Sequence, residues 1–472
     1  MAGYTIPREN IDKFLRTMRR YEINMHSVLM MQSDEVIFEK YWKPFTKDTI
    51  HRMYSDTKSF VGIAVGCLLD EGKISLDDPI IKYFPDKQPE HVHPWMAEQT
   101  IRNMLTMHTC LAGVNWFRPG VVDRMKFYFA QKPNRPAGTL YNYDSTGSYI
   151  LGALVERLSG MSLLDYMKEK FLNRIGGFEN AQMLQVPDGV AWGDSAMVCT
   201  PRALLNFAKL LMNGGSWEGE QLISEEYVRA ATSYQVSTDM ECIRSYKWWG
   251  YGYQIWMAEQ GGFAFHGMGG QFALCVPKKD FIFVCTGDNQ FNESSPETTF
   301  RAIFDQLIPD DEKYEDCDEL PVAHGKAESF FAAKISGRTF DCTENDMGIK
   351  WFRFEFENDE GCFVYENAQG EKRLPFGMKK NLFVKFPQLG YSDDRGNVHD
   401  ETSPFMYNCA SSAGWLEGKK LQLRVQIIDR YFGSMTAVFG FRDEDTVAFR
   451  MIKHAEDFLQ EYDGWCAASA RK

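Results

Sequence analysis

The sequence predicts a two-part chain. First comes an α/β domain, more narrowly α+β, with an antiparallel sheet flanked by helices and a helical region beside it. An all-β barrel or sandwich follows. Three observations carry this reading. Strand patterns lie at both ends of the first 308 residues and enclose a helical middle, which suggests one sheet assembled from both ends. A helix-length run from Thr57 to Leu69 is apolar almost all round, as in a helix buried at the centre of a domain. Beyond Pro321 the texture changes to short alternating strands separated by turns.

Taken in order, "IDKFLRTMRRY" has helical apolar spacing, and "SVLMMQSDEVIFEKYW" reads as two strands joined by the turn "SDE". In the apolar helix, Gly62 and Gly66 allow close packing, and "EGKISLDDPI" ends it. Helices and loops run to about residue 235, among them "SYILGALVERLSG" and "PRALLNFAKLLMNGG". Strands return with "WWGYGYQIWM", "GFAFHGMGGQFALCVP" and "DFIFVCTG", before the helix "TTFRAIFDQLI". The domain boundaries expected are 1–308 and 322–472. Between them the acidic, proline-flanked "PDDEKYEDCDELP" (309–321) reads as a linker. The C-terminal strands include "GIKWFRFEFEN", "GCFVYEN", "NLFVKFP", "KLQLRVQIID", "SMTAVFGF" and "TVAFRMI".

Composition narrows the function. With 472 residues, 44% of them hydrophobic, the chain can bury a large core in two domains. A net charge of −13 disfavours nucleic acid or an anionic membrane as partner. The longest apolar run, Phe60 to Leu69, is well short of a membrane span. The opening "MAGYTIPREN" lacks a basic segment followed by an apolar one, so no secretory signal is expected. Eleven cysteines occur without a C-x-x-C pair, and Cys67, Cys275 and Cys285 read as buried thiols; a reducing cytoplasm fits. His91 and His93 lie in a polar loop without further ligands at zinc spacing, so no metal and no cofactor are expected.

Three stretches carry candidate chemistry. In "MYSDTKSF", Ser55 precedes Lys58 by one helical turn, so their side chains can meet. An ordinary capped helix start reads the same way, but this helix is buried. A desolvated lysine loses proton affinity and can serve as a base, and a helix N-terminus favours charge on the serine oxygen. In "PAGTLYNYDSTGSYI", Tyr141, Tyr143 and Ser145 alternate on an extended segment before a helix near Thr146. A phenol there could shuttle a proton to a leaving group, or be a core residue at a helix entry. In "FAFHGMGGQFALCVP", glycines 267, 269 and 270 interrupt a strand, as at a bulge or where a ligand or backbone approaches closely.

Together these stretches resemble the serine β-lactamase-like superfamily: class C β-lactamases, penicillin-binding DD-peptidases, esterases and aminohexanoate-oligomer hydrolases. Its signature is S-x-x-K, then Y-x-N or Y-x-S, then K-T-G or a variant. The counterparts here are "SDTK", "YDS" and "FHG" or "HGM". "TIRNMLTMHTCLAG" and "NFAKLLMNGGSWEGEQLISEEYV" also read like family segments, so the resemblance runs over about residues 8–308. It implies a β-lactamase/transpeptidase-like fold, Ser55 as acylated nucleophile, Lys58 as its base and Tyr143 as second proton carrier. Ser145, His266, Gly267 and Gly269 would line the substrate site, with an oxyanion hole made by the N–H groups of Ser55 and Met268.

The departures shape the substrate expectation. K-T-G is absent, and "CTG" at Cys285–Gly287 ends the following strand. "MGGQ" offers little to a substrate carboxylate, which favours a small uncharged amide or ester over a β-lactam or D-amino-acid peptide. The alternative of another class is a non-catalytic ligand-binding module. "GDSAM" around Ser195 lacks the second glycine of a nucleophile elbow. For the C-terminal domain, covering an apolar face or forming a homodimer is favoured over shaping the active-site mouth. Trp351, Phe352 and Trp415 read as core.

Overall fold

The computed structural model describes residues 5–116, 120–238, 250–310, 318–389, 406–455 and 459–472. Helix α1 (Arg8–Arg20) turns Ile11, Phe14 and Met18 inward and carries Glu9 in its first turn and Arg19 and Arg20 in its last, which suits the helix dipole. Strands β1 (Met25–Gln32) and β2 (Glu35–Tyr41) form the expected hairpin. The central helix is α2 (Thr57–Asp70), buried from Thr57 to Leu68. Helices α3 (Ser145–Ser159) and α4 (Pro201–Met212) follow, then β3 (Trp256–Met257), β4 (Phe263–Gly267), β5 (Gln271–Val276), β6 (Phe281–Gly287) and α5 (Ser295–Ala302).

The sheet order is β2-β1-β6-β5-β4-β3, so N-terminal strands do join those that close this half of the chain. Its two faces bury different helices. On one face Phe14 of α1 and Phe300 of α5 pack on Phe283 and Phe272. On the other, Phe207 of α4 lies against Phe265 of β4 and stacks at 3.8 Å on Phe60 of α2. The glycines of α2 are needed for approach. A Cβ on Gly66 would sit 2.3 Å from the Tyr227 ring, and one on Gly62 2.8 Å from the Tyr253 carbonyl. "WWGYGYQIWM" forms less strand than expected: only Trp256–Met257 is regular, and Trp248 and Trp249 lie outside the described residues.

The C-terminal part is a closed barrel. Its strands are β7 (Thr339–Cys342), β8 (Trp351–Glu357), β9 (Glu360–Asn367), β10 (Gly370–Met378), β11 (Leu382–Leu389), β12 (Met406–Glu417), β13 (Lys420–Ile428), β14 (Phe432–Phe441), β15 (Thr446–His454) and β16 (Gly464–Ala470). They run β10-β9-β8-β7-β16-β15-β14-β13-β12-β11. A parallel pairing of Gly377–Met378 with Ser412–Ala413 closes β10 on β12, leaving β11 as an extra strand. Phenylalanines 340, 352, 354, 363, 439 and 449 fill the interior. Phe352 and Trp415 are core residues, while Trp351 is half-buried, its indole N–H donating to Glu366.

The two compact units are interleaved in sequence. One comprises Met1–Met107, Gly113–Gln131 and Asn142–Lys313. The other comprises His108–Ala112, Lys132–Tyr141 and Tyr314–Lys472. Residues 311–317 of the expected acidic linker lie outside the described residues. No helix among the described residues is long and apolar enough to cross a membrane.

Candidate active site

The chain enters the site through the short strand His51–Arg52, which pairs with Val198–Cys199. The Met53 N–H donates to the Met197 carbonyl at 2.7 Å, and the Met197 N–H donates to Thr57 Oγ1 at 3.0 Å. Between these anchors Tyr54 takes a left-handed φ of +46°, a strained state for a non-glycine residue. Ser55 therefore sits in a 3-10 turn, Tyr54–Asp56, one step ahead of α2. Lys58 lies one turn later and is 1% exposed. Its Nζ is 2.9 Å from Ser55 Oγ and 2.8 Å from the Asp194 carbonyl oxygen. It also stands 5.0 Å from the centre of the Tyr143 ring. Nucleophile, base and phenol candidates are thus brought together.

The Tyr143 ring is held from outside the motif. It stacks on Trp256 at 5.4 Å with 19° between planes, and meets Tyr251 edge-on at 6.5 Å. Asp144 caps α3 by accepting from the Thr146 N–H and hydroxyl. Ser145 is the first residue of that helix, so it does not continue an extended segment with Tyr143 as the alternation suggested. Tyr141 belongs to the other compact unit.

Gly267 ends β4 directly against the segment that leads into the Tyr54–Asp56 turn. A Cβ there would lie 2.2 Å from the Met53 carbonyl oxygen, so only glycine permits this approach. Gly269 and Gly270 then take φ of +83° and +96° in the turn to β5. Gln271 braces that turn, its Nε2 donating to the carbonyls of Met268 (3.1 Å) and Gly287 (2.7 Å). The Met268 side chain is half-exposed. His266 requires a correction. Its ring meets Phe272 edge-on, on the sheet face covered by α1 and α5, whereas Phe265 faces α4 and α2. Strand alternation turns the imidazole away from the α2 side. A substrate contact from the His266 ring is therefore not supported.

Two acids missed by motif reading flank the lysine. Asp56 is fully buried, neither carboxyl oxygen has a hydrogen-bond partner, and burial pushes its carboxyl well above the usual range despite the Lys58 charge. Asp194 is pushed up to about 6, mainly by burial and against the pull of Lys58, Arg124 and Arg52. Neither acid forms an ion pair with Lys58 among the described residues. Lys58 instead has a hydroxyl and a backbone carbonyl as its partners. Ser195, in the elbow-like "GDSAM", anchors Arg52, accepting from it through its carbonyl (2.8 Å) and hydroxyl (3.0 Å). Gln254 ties α2 to α3, its carbonyl accepting from Ser59 at 2.8 Å and its Oε1 from Ser148 at 2.5 Å. His93, from the polar loop, caps the helix Pro94–Ala97.

Comparison with known proteins gives the family of the first half of the chain. A family model described as Beta-lactamase matches residues 11–307. The 6-aminohexanoate-dimer hydrolase of Paenarthrobacter ureafaciens is 24% identical over 284 residues, 54% of this chain and 70% of that protein. Esterase EstB of Burkholderia gladioli is 28% identical over 138 residues, covering 26% of this chain and 35% of the esterase. The octameric penicillin-binding protein homologue from Pyrococcus abyssi superposes with a TM-score of 0.50 at 17% identity, covering 97% of this chain and 99% of that one.

Proposed function

This chain belongs to the beta-lactamase family, and from that premise we propose that it is a serine hydrolase acting through an acyl-enzyme on small uncharged amides or esters. The observation that carries the reading is the 2.9 Å approach of the buried Lys58 Nζ to Ser55 Oγ. In this scheme Lys58 takes the Ser55 proton as Oγ attacks the carbonyl carbon. The N–H groups of Ser55 and Met268 stabilise the resulting oxyanion, each such donor being worth about a hundred- to a thousandfold in rate. Tyr143 gives its proton to the departing nitrogen or oxygen and is reprotonated from Lys58. Water then releases the acyl group by the reverse sequence. The glycine-rich turn after β4 presents no charged side chain at 267–270, which supports an uncharged substrate.

The test is intact-mass spectrometry after incubation with a fluorophosphonate and, separately, a penicillin, on wild type and Ser55→Ala. An adduct on wild type that vanishes in the variant is expected with the fluorophosphonate. Folded wild type that takes up neither reagent would overturn the catalytic reading in favour of a binding module.

A further inference from the structure

The barrel unit contains two segments that do not come from the C-terminal half of the chain, His108–Ala112 and Lys132–Tyr141. They pair with each other, the Gly138 N–H donating to the His108 carbonyl (2.9 Å) and the Asn134 N–H to the Cys110 carbonyl (3.2 Å). The barrel strands hold them closely. Gly440 of β14 abuts the Thr139 carbonyl, where a Cβ would come within 2.1 Å of the oxygen. Arg135 is fully buried with its guanidinium 4.3 Å from the Trp465 ring centre and donates to the Leu111 carbonyl at 2.8 Å. Lys420 of β13, 5% exposed, ion-pairs with Glu417 at 3.2 Å and reaches His108 Nε2 at 3.2 Å. An ammonium can only donate, so Nε2 is the acceptor there.

Both segments run straight into the catalytic half. Met107, at φ +59°, precedes His108, and its carbonyl accepts from the Asn142 N–H at 3.0 Å. Its sulfur lies 3.3 Å from the Asp144 nitrogen. Tyr143 stands between those two residues and follows the barrel-held Tyr141 by two positions. We propose that the barrel, through Gly440 and the Lys420–His108 contact, is the positioning element for Tyr143. The proposal rests on the proton-carrier role given to Tyr143 above. It assigns the C-terminal domain a part in catalysis by way of the polypeptide rather than by touching substrate.

Two readouts test this on the full-length chain. The first is hydrogen exchange of the amides at 140–146, with those of α2 as reference. The second compares turnover of a p-nitrophenyl ester, whose phenolate leaves without a proton, with that of an alkyl amide, whose amine must receive one. Gly440→Val should speed exchange at 140–146 about tenfold while α2 is unchanged. It should lower amide turnover about tenfold or more, as Tyr143→Phe does, with ester turnover within about threefold. Phe432→Ser, at the exposed start of the same strand, should do neither. Lys420→Met should act like Gly440→Val, and His108→Gln, which keeps an acceptor, should retain amide turnover. This pair decides the matter if Gly440→Val does not fold. Unchanged exchange at 140–146, or equal slowing of ester and amide, would overturn the proposal. Faster exchange in a chain whose wild type takes no fluorophosphonate would support the barrel's hold on this segment and overturn the catalytic role instead.

Discussion

Lys58 and Lys420 are both buried, at 1% and 5% exposure, yet the two units treat them differently. Lys420 has what a structural lysine needs: a carboxylate at 3.2 Å and an imidazole acceptor. Lys58 has a hydroxyl and a backbone carbonyl, although two carboxyls, Asp56 and Asp194, lie in the same buried region. Burying a lysine head group opposes folding unless its polar partners offset the cost, and among the described residues no ion pair does so for Lys58. A lysine kept that way suits the proposed proton transfer; one kept like Lys420 suits cohesion.

Replacing each lysine by methionine is the strongest test of that contrast. Lys58→Met should slow fluorophosphonate labelling and turnover about a thousandfold, near 4 kcal/mol of barrier. Its melting temperature should hold or rise, because methionine fills the buried space without a polar head group that needs partners. Lys420→Met should lower unfolding stability by about 2 kcal/mol, since Glu417 and His108 both lose the ammonium they share. Ester turnover should be nearly intact. If Lys58→Met destabilises as much as Lys420→Met does, the distinction between the two lysines fails.

Asp194 sharpens the comparison through pH. Its folded-state pKa is raised from the ordinary 3.8 to about 6, so the native chain holds this proton more tightly than the unfolded chain. Stability is therefore unpenalised below about 3.8 and is lost as pH climbs to about 6, after which the loss is constant. Two pK units amount to about 3 kcal/mol. Asp194→Asn, which leaves the carbonyl partner of Lys58 in place, should raise neutral-pH stability by that order. Denaturant titrations of both proteins across this range should diverge as pH rises. Parallel curves would mean that the carboxyl titrates normally.

The contrast also marks what the sequence could and could not convey. Ser55 and Lys58 are legible because one helical turn fixes their separation, and Tyr143 because it precedes a helix entry. The Asp194 carbonyl and the Trp256 ring meet the site from 136 and 113 residues away (194 − 58 and 256 − 143), contacts that no local period records. The side on which His266 lies is not legible, because "FHG" gives a register but not which parity faces α2. The apolar alternation of β8, β13 and β14 announced an all-β domain. Strands β10 and β16, "GEKRLPFGM" and "GWCAASA", are poor in β-branched residues and stayed hidden until their neighbours paired with them. Segments 108–112 and 132–141 belong to the barrel unit through Gly440 and Trp465, more than 300 residues later.

A glycine in each unit works in the same way, bringing a strand against a carbonyl. In the barrel it is Gly440 on Thr139; in the other unit it is Gly267 on Met53. The clash a methyl group would make is nearly equal, 2.1 Å against 2.2 Å, and both partners are backbone atoms that a side-chain rotation cannot move. The consequences should nevertheless differ. Met53 leads into the strained turn that carries Ser55, so Gly267→Ala displaces the proposed nucleophile itself. Overpacking of this kind costs about 2 kcal/mol, and here it should slow ester and amide turnover alike, together with fluorophosphonate labelling. Thr139 leads toward Tyr143, the proposed proton carrier, so changes at Gly440 should discriminate between leaving groups. The ratio of amide to ester turnover in the two glycine variants separates a displaced attacking oxygen from a displaced proton donor. A Gly267→Ala enzyme that kept its ester rate and lost only amide hydrolysis would place the turn's contribution at the second step rather than at the attack.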